Sequence, residues 1–418
     1  MSSFRYLIVA FALLAFCTSI VRGQVLETHA SLQAAAAGSV QVMETSYHSI
    51  MLGTALPVRA FSPKNPTWEA VGDGSTITSA GMRLVIYVMN LQGVPRPSAA
   101  DDRKIIEDLI KDDFLVLTVD FGGAQMKTHL DLQKDISGLF CAFGGKWHTR
   151  QSYFTVNRKK LLDHPGPSVA RARSTIGEIP INRAAIYVIP SGYTVEPQLV
   201  FRDGIQGADW KRRTRTEVFC DLIYPKASAG NEAVPLLLEG SSTSTGGFVV
   251  NANTPILYSW LFNGYALASF CYVRTEDENH YLLDALRFFH AKKDRFSLSG
   301  KVGTAGISKS CRRCFTESNM KPGDGDAFEP VRVCMPAVGE YPRSVWKQLP
   351  KDATPLVLSW CHLNSKRYGD ETHQAIRKAY EKAGVAEKCL YLSSPLAGHE
   401  YDVYHLNEIM TFFDRHCK

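Results

Sequence analysis

The chain predicts an α/β fold, and three observations carry that prediction. From Glu217 to the C-terminus, short apolar runs alternate with stretches of helical spacing, the pattern of a mostly parallel sheet with helices on both faces. Leu84–Asn90, Asp101–Lys111 and Phe114–Asp120 repeat the pattern earlier in the chain as a strand, a helix and a strand, so an additional βαβ-containing unit precedes the main sheet. Lys301–Cys314 reads as a short buried strand that turns sharply into a helix, with Ser308 at the bend. The composition, 45% hydrophobic and 21% charged, supplies a sizeable core and excludes disordered and fibrous classes.

Taken in order, Met1–Gly23 has the layout of a signal peptide: Arg5 in a positive start, an apolar run Tyr6–Phe16, and small Gly23 before Gln24. The expected location is therefore secreted or periplasmic. A lipidated Cys17 is disfavoured by bulky Phe16 before it. No later stretch reaches the roughly 20 apolar residues of a membrane span, so no integral membrane segment is expected. Residues 24–75, with Ala34–Ala37, are expected to be an N-terminal arm, either a partly ordered helix or a linker.

An N-terminal α/β unit is expected over 76–170. Ile105, Ile106, Leu109 and Ile110 mark its first helix, and a second is expected at about His129–Phe143, before a polar, basic, turn-rich stretch from Gly144 to Arg173. The main α/β domain is expected over 171–418, opened by Ala184–Pro190 and Gln198–Arg202 as an antiparallel pair. Strands at Glu217–Tyr224 and Val234–Glu239 follow, then a Ser/Thr/Gly loop at Gly240–Gly247, a helix through Ile256–Leu261, a strand at Tyr265–Val273 and a helix at Tyr281–Ala291. Beyond the bend, strands at Val331–Val338, Pro355–Trp360 and Cys389–Ser393 alternate with helical patterns.

A formal charge of +6 falls to about +4 once Arg5 and Arg22 leave with the leader, too mild to point to a polyanion partner. The one dense basic run, Lys211–Arg215, reads as a solvated loop, and no nucleic-acid partner is expected. Ten cysteines, one of them Cys17, leave an odd number after export, so at least one thiol stays free or pairs with another molecule. Cys311 and Cys314 form a C-x-x-C, which suggests a zinc half-site, a redox pair or a local disulfide; a helix after such a bend buries one face, so core cysteines are expected. No cluster of Asp, Glu and His has metal-ligand spacing, and neither a metal nor a cofactor is expected.

Gly306-Ile307-Ser308-Lys309-Ser310 comes within one residue of G-x-S-x-G, in which small residues two before and two after the serine let the chain turn tightly and raise the hydroxyl above the sheet. A strand-loop-helix with a chance serine is the bland reading of the same five residues. The order of elements from Glu217 onward, with Gly398-His399-Glu400 after the last strand, resembles the α/β-hydrolase superfamily, most closely its dienelactone-hydrolase-like and acyl-thioesterase-like branches, some of which carry Gly-Ile-Ser-Lys-Gly at the bend. The resemblance covers about half the chain.

The resemblance implies a serine nucleophile at Ser308 and a base at His399, since a serine hydroxyl needs an imidazole within hydrogen-bond reach. His362, His373 and His405 compete for the base; His373 and His405 read as helical surface residues and His362 as a loop residue near the site. An oxyanion hole would use the N–H of Lys309 and one from the Gly240–Gly247 loop, where Ser241 and Ser242 are placed by position alone. The triad acid stays open between Glu340, two residues after its strand, and Asp370, or is absent; Glu400 and Asp402 stand too near His399 in sequence to orient it. The implied activity is that of a serine hydrolase cleaving a carboxylic ester, borne on a small molecule or a polymer, through an acyl-enzyme.

Thioesterase, acyltransferase and peptidase activities share the fold, although CoA esters are intracellular and no gating domain for a peptidase is recognisable. A binding protein that keeps the fold without catalysis is supported by Ser310 and by Cys361-His362-Leu363-Asn364, where an acid is usual. A thiol-dependent redox role for Cys311 and Cys314 is a third class.

Overall fold

The computed structural model describes residues 40–63, 70–71, 79–80, 82–92, 98–125, 128–143, 175–176, 179–202, 218–226, 232–241, 254–271, 281–307, 309–321, 323, 328–339, 341–347, 352–361, 370–394 and 401–418. The first sheet begins inside the segment expected to be an arm. β1 (Val40–His48) and β2 (Ala55–Pro63) pair antiparallel, and β2 alternates exposed and buried residues as a half-buried strand does. The turn between them is fastened by Asp135, whose carboxylate accepts Tyr47 Oη at 2.8 Å, Ser49 Oγ at 2.8 Å and the Ile50 N–H at 2.7 Å. β3 (Ala70–Val71) and β4 (Ser79–Ala80) form a separate antiparallel pair.

β5 (Met82–Met89), α1 (Ala99–Lys111) and β6 (Phe114–Asp120) form the expected βαβ unit, with β5 and β6 parallel. α1 starts at a capping box between Ser98 and Asp101 and buries Ile105, Ile106, Leu109 and Ile110. α2 (His129–Phe143) follows, then β7 (Thr175–Ile176) and β8 (Ile179–Pro190). The six strands run in the order β1-β2-β6-β5-β8-β7.

β9 (Tyr193–Arg202) opens a second sheet, which corrects the expected antiparallel pairing of 184–190 with 198–202. β8 pairs parallel with β5, and β9 pairs antiparallel with β10 (Val218–Pro225). Ile186, Tyr187, Val188, Ile189 and Pro190 are all buried, the signature of a strand covered on both faces rather than the outer arm of a hairpin. The chain crosses between sheets at Ser191-Gly192, where Gly192 has a φ of 86° and its N–H is donated to Tyr87 Oη at 2.7 Å.

The second sheet continues with β11 (Val234–Ser241), α3 (Tyr258–Phe262), β12 (Ala266–Cys271), α4 (Tyr281–Ala291), β13 (Leu298–Ile307), α5 (Lys309–Ser318), β14 (Val333–Ala337), α6 (Arg343–Trp346), β15 (Leu356–Cys361), α7 (Asp370–Lys382), β16 (Cys389–Ser394) and α8 (Leu406–Cys417). Its eight strands run in the order β16-β15-β14-β13-β11-β12-β10-β9. Apolar residues of α3 and α8 share one core with those of the first sheet, including Tyr258, Trp260, Phe413, Ile186 and Phe140. The opposite face is covered by α4 in one cluster and by α5 and α7 in another. Among the described residues, no helix is long and apolar enough to cross a membrane.

α5 lies unusually close to β13. A Cβ added to Gly306 would stand 2.7 Å from Cys314 Cβ and 2.8 Å from the Ser310 carbonyl oxygen, both positions fixed by helix backbone. Gly306→Ala therefore has to push α5 off the sheet, at a cost of about 1–3 kcal/mol. Urea unfolding of this variant is expected to show a lower midpoint than the parent, and an unchanged midpoint would contradict the close approach.

Candidate active site

The strands β11 to β16 are mutually parallel wherever they pair. Their last residues, Ser241, Cys271, Ile307, Ala337, Cys361 and Ser394, therefore lie along one edge of the sheet. In open α/β sheets this carboxyl edge is where ligands bind. β13 ends at Ile307 and α5 begins at Lys309. Ser308 itself lies outside the described residues, but its two neighbours leave a single residue between strand and helix.

The residue that departs from the serine-bend pattern is accommodated there. Ser310 is buried, its Oγ accepts the Ile307 N–H at 2.8 Å, and its hydroxyl donates to the Ile307 carbonyl at 2.6 Å. These two bonds tie the first turn of the helix to the last residue of the strand. Counted from β9, the spatial order is 1-2-4-3-5-6-7-8, the second strand alone runs antiparallel to its neighbours, and the bend follows the fifth strand. The C-terminal sheet has the α/β-hydrolase fold.

No model of a protein family matches the chain, and no curated protein matches it. Solved structures similar to part of it include a thermophilic esterase from Thermogutta terrifontis, with 11% identity, 54% of this chain and 92% of that chain covered, and a TM-score of 0.38. An acetyl ester-xyloside bifunctional hydrolase from Caldicellulosiruptor lactoaceticus is 13% identical over 54% of this chain and 97% of its own, with a TM-score of 0.39. Esterase B from Lactobacillus rhamnosis is 12% identical over 54% of this chain and 87% of its own, with a TM-score of 0.40. The assignment of the α/β-hydrolase fold rests on the strand order itself.

The other expected site residues divide into those the structure places and those it leaves outside. His399, Glu340, His362 and Ser242 lie outside the described residues. Lys309 is the first residue of α5 and Ser241 the last of β11, so the backbone of each stands at the carboxyl edge. Just before Glu340, Val338 holds a φ of 47°, an outlying conformation for a β-branched residue, as the chain leaves β14. Asp370 is the first residue of α7, and its carboxylate accepts Tyr391 Oη at 2.6 Å and Gln374 Nε2 at 3.3 Å.

Two histidines differ from their expected surface placement. His373 is 2% exposed and meets the Tyr341 ring edge-on, because it falls on the same face of α7 as Ile376 and Tyr380. His405 stands at the N-cap of α8 rather than in the helix, half-buried, with Nδ1 at 2.8 Å from Asp402 Oδ2. Asp402, set aside as too near His399, is buried. Burial pushes its carboxyl up, but hydrogen bonds from His405 and Ser394 outweigh that and hold it below the ordinary carboxylate range. The signal in the sequence is Asp402-Val403-Tyr404-His405 immediately before an amphipathic helix.

A second buried carboxyl was not expected. Glu239 on β11 is 1% exposed and accepts Ser269 Oγ of β12 and Tyr401 Oη, the latter at 3.4 Å. Burial pushes it up to about 7, against the pull of those two hydrogen bonds. Cys311 and Cys314 are buried in the α5 core, and burial pushes Cys314 up to about 12, which leaves it an inert thiol.

Glu239 makes stability depend on pH. In the fold it keeps its proton at pH values where the unfolded chain, with an ordinary glutamate value near 4.5, has lost it. Its contribution is full below that lower value and is lost as pH rises through about 7. Glu239→Gln should remove about 2–3 kcal/mol of the stability difference between about pH 5 and pH 8, measured by urea unfolding at both. A variant with the parent's full pH dependence would contradict this.

Proposed function

We propose that this protein is a secreted serine hydrolase that cleaves a carboxylic ester through an acyl-enzyme intermediate. The observation that carries the reading is the one-residue junction between β13 and α5 at the carboxyl edge of an α/β-hydrolase sheet, with Ser308 as that residue. In this reading Ser308 Oγ attacks the ester carbonyl while His399 takes its proton and passes it to the departing alcohol. The tetrahedral oxyanion is met by the N–H of Lys309, at the positive N-terminus of α5, and by an N–H of the loop that begins after Ser241. Water then attacks the acyl group and regenerates Ser308.

For the acid, the engagement of Asp370 by Tyr391 and Gln374 supports Glu340, which follows Val338 by two residues in sequence. The chemistry draws on no cofactor. The leader-like Met1–Gly23 supports an extracellular ester, on a polysaccharide or a lipid, over an intracellular CoA thioester.

Labelling with a serine-directed fluorophosphonate tests the reading. The native protein should be labelled, Ser308→Ala should not, and Glu340→Gln should be slowed by up to about 10⁴-fold while Asp370→Asn stays near the parent rate. A native protein that takes no label would favour a non-catalytic binding protein on the same fold, and a label undiminished by Ser308→Ala would overturn Ser308 as the nucleophile.

A further inference from the structure

α8 begins without a side-chain cap of its own: His405 stands at the N-cap, and its side chain makes no capping bond. The ring turns back instead to Asp402, with Nδ1 2.8 Å from Oδ2. Asp402 also meets the main chain at the helix start, where its Oδ1 accepts the N–H groups of Tyr404 at 3.1 Å and His405 at 3.4 Å. The same carboxylate holds the sheet. Its Oδ2 accepts Ser359 Oγ of β15 at 2.8 Å and the hydroxyl of Ser394, the last residue of β16. Ser394 Oγ in turn lies 3.1 Å from His405 Nδ1, so one buried carboxylate joins two strands to the start of the helix.

The far end of α8 is held differently: Asp414 accepts Asn263 Nδ2 and Tyr265 Oη, each at 2.9 Å, and Phe413 meets the Trp260 ring edge-on. These contacts involve no imidazole. At the near end the two partners differ in their access to solvent. The side chain of Asp402 is fully buried while that of His405 is 28% exposed, so water can take a proton from the ring without reaching the carboxylate. With His405 charged, the buried carboxylate has a cation against it; with His405 neutral it keeps its hydrogen bonds and loses that charge, and an uncompensated buried charge is costly. The dipole of α8 opposes a cation at its N-terminus, so the charge on His405 depends on the pair.

We propose that Asp402 and His405 form a pH-sensitive latch that docks the start of α8 on β15 and β16, closed while the imidazole is charged and loosened once it is neutral. The latch goes beyond the hydrolase reading and does not depend on it. Among the described residues, the charged groups that face His405 are Asp402 and, from α8, Glu408; β15 and β16 present the hydroxyls of Ser359 and Ser394. The hydrogen bond to Asp402 holds His405 above its ordinary value of 6.5, with burial opposing. The latch therefore contributes fully below 6.5 and is lost as pH rises through the raised value. At the acid end Asp402 is held below its ordinary 3.8, so the contribution lasts until pH falls through that lowered value. Buried residues of α8 share one core with the first sheet, and the latch links pH to the packing of that core.

Hydrogen exchange on the full chain from about pH 5.5 to about pH 8.5, with each rate divided by its intrinsic rate at that pH, tests the latch. Protection of the Ile409 and Met410 amides is expected to fall about fivefold more than that of α1, the control for global opening, as pH rises. In His405→Gln, which leaves a neutral donor beside Asp402, the excess loss at α8 should vanish, with its protection at the parent's alkaline level throughout. The His405 ring resonance should titrate above 6.5 in the parent and below it in Asp402→Asn. A parent in which α8 and α1 change alike within about twofold, or an excess loss at α8 that persists in His405→Gln, would overturn the proposal. So would a His405 ring that titrates in Asp402→Asn as it does in the parent. Should Asp402→Asn fail to fold, exchange in His405→Gln decides.

Discussion

The close approach of α5 to β13 across Gly306 is the constraint on which the rest of the site depends. With only hydrogen on Gly306 Cα, the helix can place Cys314 Cβ and the Ser310 carbonyl where a side chain would otherwise stand. The strand can then pass into the helix through a single residue, and the Ser310 hydroxyl binds both backbone groups of Ile307 to keep it so. On the buried side Cys311, Cys314 and Phe315 pack on Cys334, Leu356 and Leu358, so the helix that sets the bend is seated on β14 and β15 as well as β13. The chemistry proposed for Ser308 would thereby be linked to the packing of the sheet's centre.

Long-range order in this molecule is carried repeatedly by buried carboxyls that collect hydroxyl donors. Asp135 gathers the β1–β2 turn, and Asp102 holds the crossing between sheets through Ser191 and Gly192. Asp221 on β10 accepts Tyr187 of β8 at 3.1 Å, Glu239 joins β11 to β12 and Tyr401, and Asp402 joins β15, β16 and α8. Each carboxyl lies where two segments distant in sequence must meet, and removing it would leave buried donors orphaned, which costs more than the net worth of the bonds themselves. The surface ion pairs, such as Arg103–Glu107 and Arg377–Glu381 along their helices, contribute little by comparison.

The strands of the second sheet were legible because most are short apolar runs bounded by polar turns, and parallel strands covered on both faces are written that way. The helices were legible from their spacing, with His129–Phe143 of the first unit and Tyr281–Ala291 of the second matching to the residue. β1 was not legible: Val40–His48 mixes Gln, Glu, Thr, Ser and His, and only tertiary contacts such as Tyr47 with Asp135 make it a strand. The Ser191-Gly192 turn resembles a hairpin locally, and nothing short of the burial of Ile186–Pro190 shows that the strands on either side belong to different sheets. In the sequence Asp402 reads as too near His399 to orient it, and His405 reads as a helical surface residue. Their partners, Ser359 and Ser394, come from two other strands, and sequence alone cannot bring those hydroxyls to one oxygen.

The central claim is that the bend at Ser308 is a working nucleophile, and the most direct measurement is to catch the acyl group on it. Stopped-flow mixing with p-nitrophenyl butyrate, acid quench and peptide mass spectrometry report the burst and the site together. The account predicts a burst of about one equivalent per chain and a butyryl mass on the peptide at Ser308. Turnover with the acyl group on another residue, or ester hydrolysis that Ser308→Ala leaves intact, would contradict it.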